Sequence, residues 1–240
     1  YGDTQNGADN VERQGPTRTV QTGAITSKAM LRAIIIFVIL SLVSGISLLL
    51  ISLGWEALQK VALFFGLGIL CIIAAIKYTA GQNPYGYAGL GDISVFTFFG
   101  LVGVLGTYYL HGQDFSSDLI LPAISCGMFS VAVLNVNNIR DIESDEVAGK
   151  KSIPVRLGPK KARIYHWIIL AGGLLSTIIF LIIHYQSLTN LLVLLSFPLI
   201  VYNGISVSKK QTAMELDPYL KQMALSTLFY VIAFGLGFVL

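Results

Sequence analysis

From Leu31 to Leu53 the chain reads LRAIIIFVILSLVSGISLLLISL, a run whose one charged side chain is Arg32. A helix of about 20 apolar residues crosses a hydrocarbon core about 30 Å thick, so this run is long enough to span a bilayer. Six further stretches reach the same length, at 58–76, 93–110, 117–135, 164–183, 187–206 and 221–240. In lipid every backbone N–H and C=O must find its partner within the segment or within a closed barrel. These runs lack the period-two alternation of barrel strands, so they are read as helices. The expected fold class is therefore all-α: a polytopic transmembrane helical bundle with seven spans, forming one domain over 1–240. Composition agrees, since 54% of the 240 residues are hydrophobic and 12% are charged. Soluble domains carry about twice that share of charge. The expected surroundings are the lipid bilayer, and no nucleic acid partner is expected.

Glycines sit inside the spans at Gly45, Gly66, Gly68, Gly103, Gly106, Gly172, Gly173, Gly235 and Gly237. Small residues let helices in lipid approach closely, so most of these are read as packing sites. Cys71 and Cys126 lie in apolar runs without CxxC or His-rich company and read as small buried hydrophobes. His111, His166 and His184 are scattered and read as interfacial rather than catalytic.

The joining segments differ in character. Residues 54–57, 111–116 and 184–186 are short and carry no Lys or Arg, whereas 1–30, 77–92, 136–163 and 207–220 are longer and polar. Counted with the helix ends they flank, the long segments hold 15 of the 16 Lys and Arg, Lys60 being the exception. Positive charge retained on one side sets orientation, which places the long segments in the cytoplasm.

Chemistry is expected in those segments. At 136–163 the chain reads VNNIRDIESDEVAGKKSIPVRLGPKKAR. If the preceding helix continues past the bilayer surface, Asn138, Asp141 and Asp145 share one face at i, i+3 and i+7. Two carboxylates at that spacing repel unless a cation sits between them, and a hard divalent ion such as Mg²⁺, shared with water and substrate phosphate, answers that need. Glu143 points off this face. Gly149 ends the helix, and Lys150, Lys151 and Arg156 follow, suited to the surplus negative charge of a diphosphate. The plain alternative is a solvated helix end with positive-inside lysines. Residues 1–30 hold a second set of acids, Asp3 and Asp9, followed by Arg13 and Arg18, and read either as a polar tail or as a second metal site. The stretch KYTAGQNPYGYAGLGD at 77–92 reads as a headgroup-level loop or a substrate loop. Residues 207–220 look like an ordinary basic loop. No Ser–His–Asp order, zinc spacing or P-loop is present.

Together these residues resemble a known family. NNIRDIESDEVAGKKSIPVRLG resembles the second aspartate-rich motif of the UbiA superfamily of intramembrane prenyltransferases, and YGDTQNGAD resembles the end of its first motif. KYTAGQNPYGYAGLGD resembles the tyrosine- and glycine-rich loop between them. Asn-Asn-Ile-Arg-Asp, the acid at Asp9 rather than at Gly7, and Gly15-Pro16-x-Arg18 are similar to the menaquinone branch. Members have nine spans, so the resemblance implies two helices and an opening Asn-Asp ahead of Tyr1. It implies Mg²⁺-dependent transfer of a polyprenyl group from polyprenyl diphosphate to an aromatic acceptor. That acceptor would be 1,4-dihydroxy-2-naphthoate, with decarboxylation, giving demethylmenaquinone. Asp3, Asp141 and Asp145 would be the catalytic acids, with Asp9 and Asn138 completing the metal ligands. Arg13, Arg140, Lys150 and Lys151 would bind the diphosphate, and Arg18, Lys77 and Tyr78 would orient the acceptor. Rival readings are another acceptor, such as 4-hydroxybenzoate or homogentisate, and a membrane transporter. A transporter would place its acids near the bilayer midplane, whereas here each lies near a helix end or in a loop.

Overall fold

A computed structural model describes residues 1–5, 19–112 and 114–240. The helices are α1 (Gly2–Gln5), α2 (Ser27–Leu53), α3 (Leu58–Thr79), α4 (Gly91–Val95), α5 (Gly103–Gly112), α6 (Ile120–Arg140), α7 (Ile142–Val147), α8 (Ile153–His184), α9 (Phe197–Lys209) and α10 (Ala213–Val239). A π-helical segment, Phe96–Val102, joins α4 to α5 as one span, and a 3-10 segment, Leu188–Ser196, leads into α9. Among the described residues, seven helical stretches are thus long and apolar enough to cross a membrane, matching the number expected.

The helices outrun the apolar stretches at the polar end. The fifth begins at Ile153 rather than near 164, and the seventh at Ala213 rather than near 221. Hydropathy registers only the length that sits in hydrocarbon, whereas backbone hydrogen bonding continues wherever caps permit. Thr212 and Glu215 form a capping box that starts α10 beyond the apolar run. In α8, Gly158 takes a positive φ of 74° and Pro159 follows, so the chain bends there before the long span proceeds.

Packing is uneven. In the last four spans 28–50% of the most apolar window is buried, against 6% in each of the first three. Phe129, Ile169, Leu170, Val193, Ile200, Met223 and Tyr230 form the main core where α6, α8, α9 and α10 meet. Hydrocarbon offers little hydrophobic drive between helices, so buried hydrogen bonds help to fix them. The Ser125, Thr177 and Tyr230 hydroxyls link at 3.0 Å, tying α6, α8 and α10. Nearer the polar end, Asn135 bonds His166, His166 bonds Asn203, and Asn203 bonds the Tyr219 carbonyl and Gln222. His166 is fully buried, so the interfacial reading is corrected in its case.

The glycine reading is also corrected in part. A Cβ at Gly173 or Gly237 would collide with Phe129 or the Thr189 carbonyl, so these two do permit close approach. At Gly45, Gly66, Gly68, Gly106 and Gly235 nothing lies near enough to be packed against. Gly45, Gly68 and Gly106 instead line an apolar cavity of about 640 Å³ between α2, α3 and α5.

Candidate active site

The fourth span carries its polar residues to the end of its own helix. α6 stops at Arg140, Asp141 leaves helical geometry at φ −98°, ψ 12°, and α7 restarts at Ile142. The break is slight, because the Asp145 N–H still donates to the Asp141 carbonyl at 2.8 Å. Asn138, Asp141 and Asp145 are all buried, while Glu143 is exposed, as the helical spacing required. α7 ends in a turn with Gly149 at φ 73°, and the Lys150 N–H returns to the Asp145 carbonyl at 2.8 Å. A left-handed glycine after the last helical turn is a common helix stop.

The Arg140 side chain is 4% exposed, and one edge of the guanidinium grips both oxygens of Asp141: Nε donates to Oδ1 at 2.7 Å and Nη2 to Oδ2 at 2.8 Å. Nη2 also donates to Asn137 Oδ1 at 2.9 Å, and Nη1 to Asp217 Oδ1 at 2.7 Å. A group engaged at four places inside protein holds Asp141 in place. Four of the five guanidinium N–H groups are thereby committed to protein acceptors. Lys150 is likewise engaged, with Nζ 2.9 Å from Asp145 Oδ2. Lys151 is exposed at its side chain, and its backbone N–H donates to the Tyr87 carbonyl at 2.8 Å.

That last bond stitches the second motif to the 77–92 loop. Arg156 reinforces the seam, donating to the Ala88 carbonyl at 2.6 Å and to the Lys151 carbonyl at 2.9 Å. The loop folds back onto the end of α3, through Tyr85 N–H to the Lys77 carbonyl and Gly86 N–H to the Tyr78 carbonyl, both at 3.1 Å. Tyr78 and Tyr85 pack edge to face with centroids 5.5 Å apart. Lys77 is exposed in the last turn of α3. At the other end of the loop, Asp92 is buried and accepts a 2.8 Å hydrogen bond from Tyr165 of α8. α1 lies on the same end, because a side chain at Gly2 would collide with Thr79. The backbone of Asp3 is therefore beside the 77–92 loop. The Asp3 side chain, and Asp9, Arg13 and Arg18 entirely, lie outside the described residues.

Three segments far apart in sequence thus adjoin at one end of the bundle. They are 1–5, 77–92 and 138–156, joined by Asp217 from α10. Reading the sequence missed Asp217, which lies in the stretch taken for an ordinary basic loop. Its only signal was an acid at the same end as the two motif aspartates.

The donor set also bears on metal binding. Among the described residues no group of three or more His, Cys, Asp or Glu is gathered as a self-sufficient metal cage. Asp141 and Asp145 offer two buried carboxylates, and Asn138 adds an amide oxygen that is buried without a hydrogen-bond partner. Hard oxygens in that number suit Mg²⁺, which keeps several waters and is bound by one or two carboxylates plus substrate phosphates. Each carboxylate oxygen has two lone pairs, so engagement by Arg140 or Lys150 leaves Asp141 and Asp145 able to ligate.

A family model described as the UbiA prenyltransferase family matches residues 1–228. The chain belongs to the UbiA prenyltransferase family. It is a membrane-embedded prenyltransferase of multi-pass architecture. A 1,4-dihydroxy-2-naphthoate octaprenyltransferase of Haemophilus influenzae is 48% identical over 99% of this chain and 76% of its own length. The Escherichia coli protein of the same name is 43% identical over the same shares. That of Mycobacterium tuberculosis is 32% identical over 97% of the chain and 76% of its own length. No solved structure matches the chain.

Proposed function

We propose that this UbiA-family protein transfers a polyprenyl group from polyprenyl diphosphate to 1,4-dihydroxy-2-naphthoate, with Mg²⁺ as cofactor and its active end facing the cytoplasm across the cell membrane. The observation carrying the acceptor assignment is near-full-length similarity to relatives bearing that activity in their names. The orientation rests on the Lys and Arg gathered at the end that holds Asp141 and Asp145.

The chemistry follows from the placement of groups. Asp141, Asp145 and Asn138, with Asp3 from the first segment, would hold Mg²⁺, which supplies charge neutralisation for the diphosphate as the allylic C–O bond breaks. Arg140 keeps Asp141 in one orientation, so the donor oxygens need no reorganisation when charge develops. Lys151, open at its side chain, would meet a diphosphate oxygen. The electron pair of the broken bond leaves with the diphosphate, and the allylic carbon bonds to the electron-rich ring, whose carboxylate departs as CO₂. No oxidant takes part, so the direct product is the quinol form of demethylmenaquinone. The apolar bundle keeps water from the allylic cation, and the cavity bounded by α2, α3 and α5 offers space of matching character for a prenyl tail.

The test incubates membranes containing the protein with labelled octaprenyl diphosphate and, separately, 1,4-dihydroxy-2-naphthoate, 4-hydroxybenzoate and homogentisate. Product with the naphthoate alone is expected, with loss of its carboxyl label as CO₂. Turnover with either other acceptor and not with the naphthoate overturns the assignment.

A further inference from the structure

Resting on the reading of Asp141 and Asp145 as cation ligands, the geometry points to Asp217 as a positioning residue that holds Asp141 through Arg140 and makes the immediate surroundings of the cation more negative. The need for such a residue arises from the pairing already described. Arg140 grips both oxygens of Asp141, and Lys150 sits on Asp145. Each of these cations offsets charge on the carboxylate it meets, which weakens the pull of that carboxylate on a divalent cation. Asp217 changes that balance. Its Oδ1 takes Nη1 of Arg140 at 2.7 Å, from the guanidinium edge that Asp141 does not use. Asp217 thereby adds one negative charge beside the Arg140–Asp141 pair.

Burial shows what Asp217 is for. The Arg140 side chain is 4% exposed and that of Asp141 7%, whereas that of Asp217 is 43% exposed. Nothing in the packing demands a carboxylate there, since water could hydrate that edge of the guanidinium. Asp217 contributes a charge and a fixed direction instead. With Asn137 at 2.9 Å on the other nitrogen, it holds the guanidinium plane and hence the orientation of Asp141. Asp217 comes from α10 and Asp141 from the end of α6, so the cation site depends on how the last span docks against the fourth.

The experiment compares wild type with Asp217→Asn and Asp217→Glu, full chain in nanodiscs, titrated with Mn²⁺ in the presence of inorganic pyrophosphate. Free Mn²⁺ is read by electron paramagnetic resonance, and a melting temperature is recorded for each variant. Asp217→Asn keeps an oxygen for Nη1 and removes the charge. Its apparent Mn²⁺ dissociation constant is expected to rise about 5- to 20-fold, the range for losing one unit charge a few ångströms away at a half-exposed site. The difference should shrink as KCl is raised, and Asp217→Glu should bind within about threefold of wild type. If the shorter side chains do not fold, Asp217→Glu against Asp217→Gln makes the same comparison at equal length. Asp141→Asn serves as the reference. If it abolishes binding while the charge-neutral Asp217 variant binds as wild type does at every salt, the role given to Asp217 is overturned and the cation reading stands. If Asp141→Asn itself binds normally, the cation reading fails.

Discussion

Replacing Arg140 with lysine separates two roles that sequence alone would merge. Lysine keeps the positive charge but concentrates it on one ammonium, whereas the guanidinium serves Asp141 twice, Asn137 once and Asp217 once. An ammonium in that position reaches at most two of these acceptors, so about two charge-assisted hydrogen bonds are lost. Each contributes about 1.5–3 kcal/mol when its partner stays buried. Asp217 is close to half exposed and can take water in exchange, which brings the expected stability loss to about 2–3 kcal/mol. The catalytic effect should be larger in relative terms, because a ligand displaced by about 1 Å lowers the rate about 100-fold. Steady-state kinetics should therefore show kcat for Arg140→Lys reduced about 100-fold, with the KM for octaprenyl diphosphate changed less than about threefold. Thermal unfolding in the same detergent checks the stability figure. An Arg140→Lys variant with normal kcat and a raised KM for the diphosphate would refute the reasoning, since it would make Arg140 an anion contact after all.

Two other predictions test the bundle around the site. His166→Leu leaves the Asn135 amide and the Asn203 carbonyl oxygen without their partner in a dry interior. Stability should fall by about 2 kcal/mol, read as a lower melting temperature, and an unchanged melting temperature would show that the chain of hydrogen bonds contributes nothing. Gly106→Leu places a branched side chain into the 640 Å³ cavity, where no atom now lies near Gly106. Turnover with the octaprenyl donor should drop at least tenfold relative to a geranyl donor; equal loss for both lengths would remove the cavity from the path of the tail.

The bundle was legible because lipid imposes a one-dimensional rule. A helix that must satisfy its own backbone and match about 30 Å of hydrocarbon announces itself by length and hydropathy, whatever its neighbours are. The stripe of Asn138, Asp141 and Asp145 was legible for a similar reason, since helical periodicity survives the slight break at Asp141. The exposure of Glu143 was implied by the same spacing. Helix ends were read short, because caps such as Thr212 with Glu215 act outside the hydrocarbon. His166 was misplaced because its burial depends on Asn135 and Asn203, which stand 31 and 37 residues away.

What the sequence determined by itself was therefore the apolar length and the polar face of single helices: seven spans, and the stripe of Asn138, Asp141 and Asp145 at the end of one of them. What only the tertiary structure decided was the pairing between spans. A count of charges makes Arg140 a free cation and Asp217 an incidental loop acid. Docking α10 against α6 brings them to 2.7 Å, turns Arg140 inward as the holder of Asp141, and leaves Asp217 to add one negative charge beside that pair. The physical reason is range: helical periodicity relates residues a few positions apart, whereas ion pairing in a bundle relates residues 77 positions apart that no local pattern connects.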